Sequence, residues 1–384
     1  MSAYKQSLDD SKSLDYDYYG KLINYGSPHV RCFPGFYPQW DDQHPINLIG
    51  HSQGGQTIRY LVALLNSKPN PTMVTPTKQS LDDVLKQKYI IANFKSDPIV
   101  KQYLFCHQGP TPNTQTDCTS NMTDLSVHSV TTVSTPHMGT TLTTPFFAGN
   151  SFLKNTAVFA IGNLNNIIGE KSDDANLFDF WFDLWELGED PLEASKQKFY
   201  GSSKIYTPLT NAFYSTNDFS AFDLSPKGAA TITDAMGEDA PNVYYYSFAT
   251  QTTNDKTPIP FLNFYYGLAH ILDPVASLIT FNSKFYPDPY IKSNYAAWAK
   301  NDGIVNTVSM ISPRFNTADS FSKLATTPYN FVASKGQWNY VGLLPGVNHL
   351  NSVGWLYNND KNNISAYHKM KDYFIYHINY INNQ

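Results

Sequence analysis

Residues 45–65 read PINLIGHSQGGQTIRYLVALL, and the order of residue types in that stretch decides the fold. Pro45 to Ile49 is a short apolar run ending on Gly50, the pattern of a buried strand closed by a turn residue. From Gln53 to Leu65 the spacing changes. Ile58, Leu61, Val62 and Leu65 recur three and four apart, which predicts a helix. Between the two lies Gly50-His51-Ser52-Gln53-Gly54, of the form G-x-S-x-G. A strand that turns this sharply into a helix strains the backbone of the serine and brings strand and helix close together, so the motif needs its glycines. The serine hydroxyl is left exposed at the head of a helix.

Two more segments read as strands: Val127 to Val133 (VHSVTTV), rich in β-branched residues, and Val243 to Phe248 (VYYYSF). Strands interleaved with helical stretches argue for an α/β sheet with helices on its faces. No internal repeat or compositional break marks a boundary, so residues 1–384 read as a single domain. The segment about 70–121 is mostly polar and Pro/Thr-rich with one helical patch, and reads as an excursion from the sheet. From Phe146 to Trp185 the pattern differs. Val158, Ile161, Leu164 and Ile168 form an apolar stripe, followed by Phe178, Phe180, Trp181, Phe182 and Trp185. Such a stripe fits ordinary core packing, or a mobile cover over an apolar site.

Composition narrows the function. Of 384 residues, 41% are hydrophobic and only 15% charged, with 24 Phe, 27 Tyr and 6 Trp, which is too aromatic for a disordered chain. The net charge is −5 and there is no Lys/Arg run, so no basic face for nucleic acid is expected. The most apolar long stretch, Phe261 to Phe281, is interrupted by Asn263, His270, Asp273 and Pro274 and does not read as a transmembrane span. The first twenty residues have no apolar core, so no signal peptide is read in the chain as given. Cys106 and Cys118 flank a turn-rich loop that a disulfide would close in an oxidising compartment, leaving Cys32 over. Asn121-Met122-Thr123 and Asn363-Ile364-Ser365 fit the glycosylation triplet, which an Asn-rich chain also yields by chance.

A serine hydroxyl is a poor nucleophile unless a histidine takes its proton, and the histidine needs a carboxylate to fix its tautomer. With a G-x-S-x-G serine the chain order is serine, acid, histidine. His270, His349, His368 and His377 come late enough to qualify. His349 lies in the turn-rich Pro345-Gly-Val-Asn-His349, whereas His368 and His377 fall in AYHKMKDYFIYHINYI, which has amphipathic helical spacing and suits surface or packing roles. Asp302, in Lys300-Asn301-Asp302-Gly303 just before Ile304-Val305, is a reasonable acid at a strand end, or a plain turn aspartate.

HSQGGQTIRYLVALL, TVSTPHMGTTL (132–142), NDGIVNTVSM (301–310) and VNHL (347–350) together resemble the secreted triacylglycerol lipases of Geobacillus and Staphylococcus, from about residue 9 to the C-terminus. The resemblance implies an α/β-hydrolase fold, a mostly parallel sheet with helices on both faces. It implies Ser52, Asp302 and His349 as nucleophile, acid and base, with the amide of Gln53 as one oxyanion donor. It also implies a lid at about 143–200, an acylglycerol substrate met at a lipid–water interface, and secretion.

Family members hold zinc with two aspartates and two histidines. The matching positions here are Asp9, His29 and Asp218; the loop of the second histidine is shortened and that histidine is absent. Structural zinc is normally four-coordinate, so the site reads as incomplete unless Cys32, three residues after His29, supplies the fourth ligand. The family's calcium site reads as lost, with Asn351 in place of a glutamate and Leu356-Tyr357 in place of an Asp-Pro pair. Family chains also carry an early strand and a glycine-rich oxyanion loop before the position of Asp9, with no counterpart in this sequence. The expectation is a truncated fragment of an active lipase. The alternatives are a catalytically impaired or non-catalytic lipid-binding relative, and an esterase for short-chain esters.

Overall fold

The structure is a computed structural model that describes residues 15–16, 22–23, 40, 42–67, 83–96, 126–144, 220–253, 272–314, 332–354 and 361–384. The chain forms two compact units. One comprises Met1–Ile46, Leu64–Pro76 and Tyr89–Ser126, the other Asn47–Ala63, Thr77–Lys88 and Val127–Gln384. In the first, a two-residue antiparallel ladder pairs Asp15 with Ile23 and Tyr16 with Leu22. There the carbonyl of Ser126 accepts from Trp40 Nε1 at 2.7 Å and from the Ile46 amide at 3.2 Å.

The second unit carries the body of a four-stranded sheet. Its strands are β1 (Ile46–His51), β2 (Val127–Val133), β3 (Tyr244–Gln251) and β4 (Trp338–Pro345), lying side by side in chain order. β2 pairs parallel with β3 from Ser129–Tyr244 to Val133–Phe248. β3 pairs parallel with β4 from Tyr245–Trp338 to Gln251–Pro345, with a register shift between Ser247 and Phe248. Parallel strands are covered on both faces, and β3 is buried accordingly, with Tyr245, Tyr246, Phe248 and Ala249 at 2% exposure or less. β3 runs three residues past the Phe248 expected from sequence. β4, where the sequence reading saw only the approach to His349, is a full strand.

Helix α1 (Gln53–Leu65) follows β1 after one residue, as its spacing predicts. Its buried positions, Gly55, Gln56, Arg59, Val62 and Leu65, line one face. Helix α2 (Asp83–Asn93) is the helical patch of the polar excursion, and within it Gln87 accepts from Tyr60 Oη at 2.6 Å. Helix α3 (Pro226–Met236) starts on Ser225, whose hydroxyl accepts the Gly228 amide at 3.0 Å. Helix α4 (Asp273–Phe285) precedes two short helical turns, Pro289–Ser293 and Tyr295–Trp298.

Helix α5 (Lys361–Ile381) presents Met370 and Ile381 to the core formed by Val133, Tyr246, Phe248, Val341, Leu344 and Val347. His377 lies on the same face, fully buried. Its ring meets Tyr246 and Phe248 edge-on at 4.9 and 5.0 Å, and its Nε2 is 2.7 Å from Thr131 Oγ1. His368 is exposed. Both therefore sit where packing or surface roles put them. No described helix is long and apolar enough to cross a membrane. The region about 143–200 lies outside the described residues beyond Thr144, as do His270, Cys106 and Cys118.

Candidate active site

Strands β2, β3 and β4 run the same way, so their carboxyl ends share one edge of the sheet, where α/β proteins place their chemistry. Ser52 sits in the one-residue turn between β1 and α1 with φ +55°, a left-handed conformation that few non-glycine residues hold. Its amide donates to the Val133 carbonyl at 3.0 Å, and its own carbonyl accepts from Gly55 at 3.0 Å. A Cβ on Gly50 would lie 2.7 Å from the backbone of Gly54 and Gly55, so that glycine is required. Gly54 differs from the motif reading: a Cβ there meets nothing within 4 Å. The close approach falls instead on Gly55, whose Cβ would lie 2.0 Å from Thr135 Oγ1.

His349 lies four residues past β4. Its Nδ1 is 2.8 Å from Asp302 Oδ2. A carboxylate only accepts, so Nδ1 carries the proton, and in the neutral ring Nε2 keeps its lone pair. The same two residues are joined again through the backbone, His349 N–H to the Asp302 carbonyl at 3.0 Å. Asp302 is wholly buried and fully engaged. Oδ1 accepts the amides of Ile304 and Val305 at 3.1 and 2.9 Å, and Oδ2 accepts Thr250 Oγ1 at 2.8 Å besides His349. Four donors on one carboxylate are what a buried charge needs.

Asp302 does not stand at the end of a strand, as its sequence setting implied. It opens a tight turn closed by an antiparallel bridge between Asn301 and Asn306. The turn is tied to the end of β3 because the Asn301 carbonyl accepts the amides of Thr252 and Thr253. Asn301 also spends its side chain holding the loop, accepting the Gly303 amide at 2.9 Å and donating to the Ala276 carbonyl at 3.1 Å.

His51, between Gly50 and Ser52, links the two halves of the site. Its Nε2 donates to the His349 carbonyl at 3.0 Å, and the two rings lie 4.6 Å apart, tilted by 47°. Burial, reinforced by the neighbouring His349, pushes its pKa down to about 3, so it is a neutral spacer. Ser52 Oγ itself makes no hydrogen bond among the described residues. His349 and Asp302 are thus joined directly, and Ser52 is held beside them through its neighbour; a serine–histidine bond that tightens only with substrate is common in such sites.

Gln53 is the first residue of α1. Its amide has no acceptor among the described residues and lies at the positive end of the helix dipole. The zinc candidates Asp9, His29, Cys32 and Asp218 lie outside the described residues, and among those described no three His, Cys, Asp or Glu side chains are grouped to hold a metal. Asn351 is buried, with its amide donating to Asn348 Oδ1 at 2.8 Å. Leu356 and Tyr357 lie outside the described residues. Sequence reasoning passed over Thr250 and His51. The available signal was the place of Thr250 near the carboxyl end of YYYSFATQ, the end at which α/β sheets gather their sites.

A strained serine between strand and helix, with a histidine–aspartate pair at the carboxyl edge of a parallel sheet, defines an α/β-hydrolase fold. A family model described as "Lipase-like, C-terminal domain" matches residues 107–381, and a serine-esterase model matches residues 37–169. The chain belongs to the lipase-like C-terminal domain family. It is similar to Lipase 2 of Staphylococcus aureus, 24% identical over 365 residues, which cover 92% of this chain and 43% of that protein. Lipase 1 of the same species is 25% identical over 358 residues, 89% of this chain and 43% of the relative. The chain thus spans less than half the length of these relatives. Among solved structures, Lipase 1 from Pelosinus fermentans matches with a TM-score of 0.50 at 24% identity, over 90% of this chain and 76% of that one. The Staphylococcus hyicus lipase matches with 0.50 at 21%, over 97% and 76%. At that identity the two structures bear on the fold.

Proposed function

We propose that this chain is a serine ester hydrolase of the lipase type, acting on long-chain acylglycerols at a lipid–water interface. The observation that carries the reading is the 2.8 Å bond between His349 Nδ1 and Asp302 Oδ2, with the His349 carbonyl bonded by His51, the residue before a serine held at φ +55°. In this mechanism Ser52 Oγ attacks the ester carbonyl as His349 Nε2 takes its proton. Asp302 fixes the tautomer and stabilises the imidazolium. The Gln53 amide donates to the tetrahedral oxyanion. His349 returns the proton to the leaving alcohol, and water activated by the same nitrogen releases the fatty acid from the Ser52 ester.

The long-chain preference is supported by the relatives, which are named as lipases, and by the aromatic stretch Phe146 to Trp185. Secretion is proposed on the same likeness. The test is a chain-length series of acyl esters, emulsified and soluble, with wild type and Ser52→Ala. Hydrolysis rising with chain length above the solubility limit, and falling by about 10⁴-fold or more in the variant, is expected. A preference for short soluble esters would replace lipase with esterase, and undiminished hydrolysis by Ser52→Ala would remove the serine mechanism.

A further inference from the structure

The carboxylate that orients His349 is itself held by a chain of hydroxyls that the serine mechanism does not use. Ser134 follows β2 as Ser52 follows β1, and it too has a left-handed backbone, at φ +52°. Its amide is fixed on the Phe248 carbonyl at 3.1 Å. From there its Oγ lies 2.7 Å from Thr250 Oγ1, which lies 2.8 Å from Asp302 Oδ2. Both residues are fully buried. The proton direction is set by chemistry. Asp302 accepts only, so the single Thr250 proton goes to Oδ2, and Thr250 must receive the Ser134 proton.

Thr250 is in turn immobilised. Its amide is 3.2 Å from Met310 Sδ, and its carbonyl accepts Thr307 Oγ1 at 2.9 Å. The Oδ2 atom therefore has one lone pair committed to Thr250 and the other to His349, while the backbone amides of Ile304 and Val305 hold Oδ1. A left-handed serine is an unfavourable choice where glycine would sit without strain, which calls for a use of the hydroxyl.

We propose that Ser134 and Thr250 form a hydroxyl relay that positions Asp302, aiming Oδ2 at His349 Nδ1 and supplying that oxygen's second donor. Both are positioning residues acting through Asp302, and the relay rests on the hydrolase reading above. It predicts an unusual order among variants of Thr250. Thr250→Val keeps the shape and loses the donor, whereas Thr250→Ser keeps the donor and loses a methyl group. A packing role would favour valine; the relay favours serine.

The experiment measures kcat and KM separately for ester hydrolysis by wild type, both Thr250 variants, Ser134→Gly and the double variant Ser134→Ala/Thr250→Val, with Ser52→Ala run alongside. Thr250→Val is expected to lower kcat about 10- to 100-fold, the range of one lost hydrogen bond to a charged group, with KM unchanged. Thr250→Ser is expected within about twofold of wild type on the same scale. The double variant, which leaves no orphaned hydroxyl, is expected to match Thr250→Val. Should Thr250→Val not fold, Ser134→Gly carries the test: its backbone is relieved of strain, so a lowered kcat in a protein of undiminished stability supports the relay. Wild-type kcat in Thr250→Val or Ser134→Gly, or Thr250→Ser as impaired as Thr250→Val, overturns it. If Ser52→Ala is inactive while Thr250→Val is not impaired, only the relay falls; if Ser52→Ala remains active, the hydrolase reading itself falls.

Discussion

Substituting alanine at the adjacent glycines 54 and 55 tests how the turn at Ser52 is built. At Gly54 the new Cβ meets nothing within 4 Å and the residue is exposed. Alanine loses less backbone entropy than glycine in a helix, so Gly54→Ala should gain up to about 1 kcal/mol. At Gly55 the Cβ would lie 2.0, 2.7 and 2.8 Å from Oγ1, Cγ2 and Cβ of Thr135, which is fully buried. Overpacking of this kind costs about 1–3 kcal/mol. The helix-entropy gain is the same at both positions and cancels, so the two variants should differ by about 1–3 kcal/mol, with Gly55→Ala the less stable. Thr135→Ala should restore part of the loss, since it removes the atoms at 2.0 and 2.7 Å but keeps the Cβ at 2.8 Å, and the lost hydroxyl makes only a long 3.4 Å bond to Val133. Urea denaturation followed by tryptophan fluorescence, at unchanged m-value, measures all three. Equal losses for the two single variants, or no recovery in Gly55→Ala/Thr135→Ala, would refute the packing of α1 on the loop after β2.

Asp302→Asn should fold yet lower kcat by about 10⁴-fold, because an amide cannot accept all four donors and its NH₂ group favours the wrong tautomer of His349; steady-state kinetics on a soluble ester check it. Acid should destabilise the fold through buried neutral histidines. Burial holds His51 at about 3, His377 at about 4 and His137 well below the ordinary 6.5. The unfolded chain takes up protons as pH falls through 6.5 while the folded chain does not, so stability is full above that value and declines below it, until about 4 for His377. Each site accounts for up to about 2 kcal/mol between pH 7 and 5. Denaturation midpoints at the two pH values should differ less in His377→Gln than in wild type.

The sequence exposed what is local and hid what depends on register. Helix α1 and strand β2 were legible to the residue, since Ile58, Leu61, Val62 and Leu65 carry a helical period and Val127 to Val133 a β-branched run. β4 was not, because Asn339, Tyr340 and Gly342 break its apolar pattern although the strand is largely buried. The meeting of His349 with Asp302 follows from chain order and family likeness. Its support from Thr250 depends on where the turn after Asn301 is tied to β3, which no spacing encodes. Nor could the motif say that Gly55, rather than Gly54, is the glycine α1 needs for its packing, because the obstacle, Thr135, lies 80 residues on. The ligands expected for zinc and the expected lid fall on residues the structure does not describe.

One adduct would decide the chemistry. Incubation with a long-chain alkyl phosphonate, followed by proteolysis and mass spectrometry, should place a single phosphonyl group on Ser52, slowed strongly by His349→Ala and absent from Ser52→Ala. A label on any other residue, or full labelling after Ser52 is removed, would contradict the assignment.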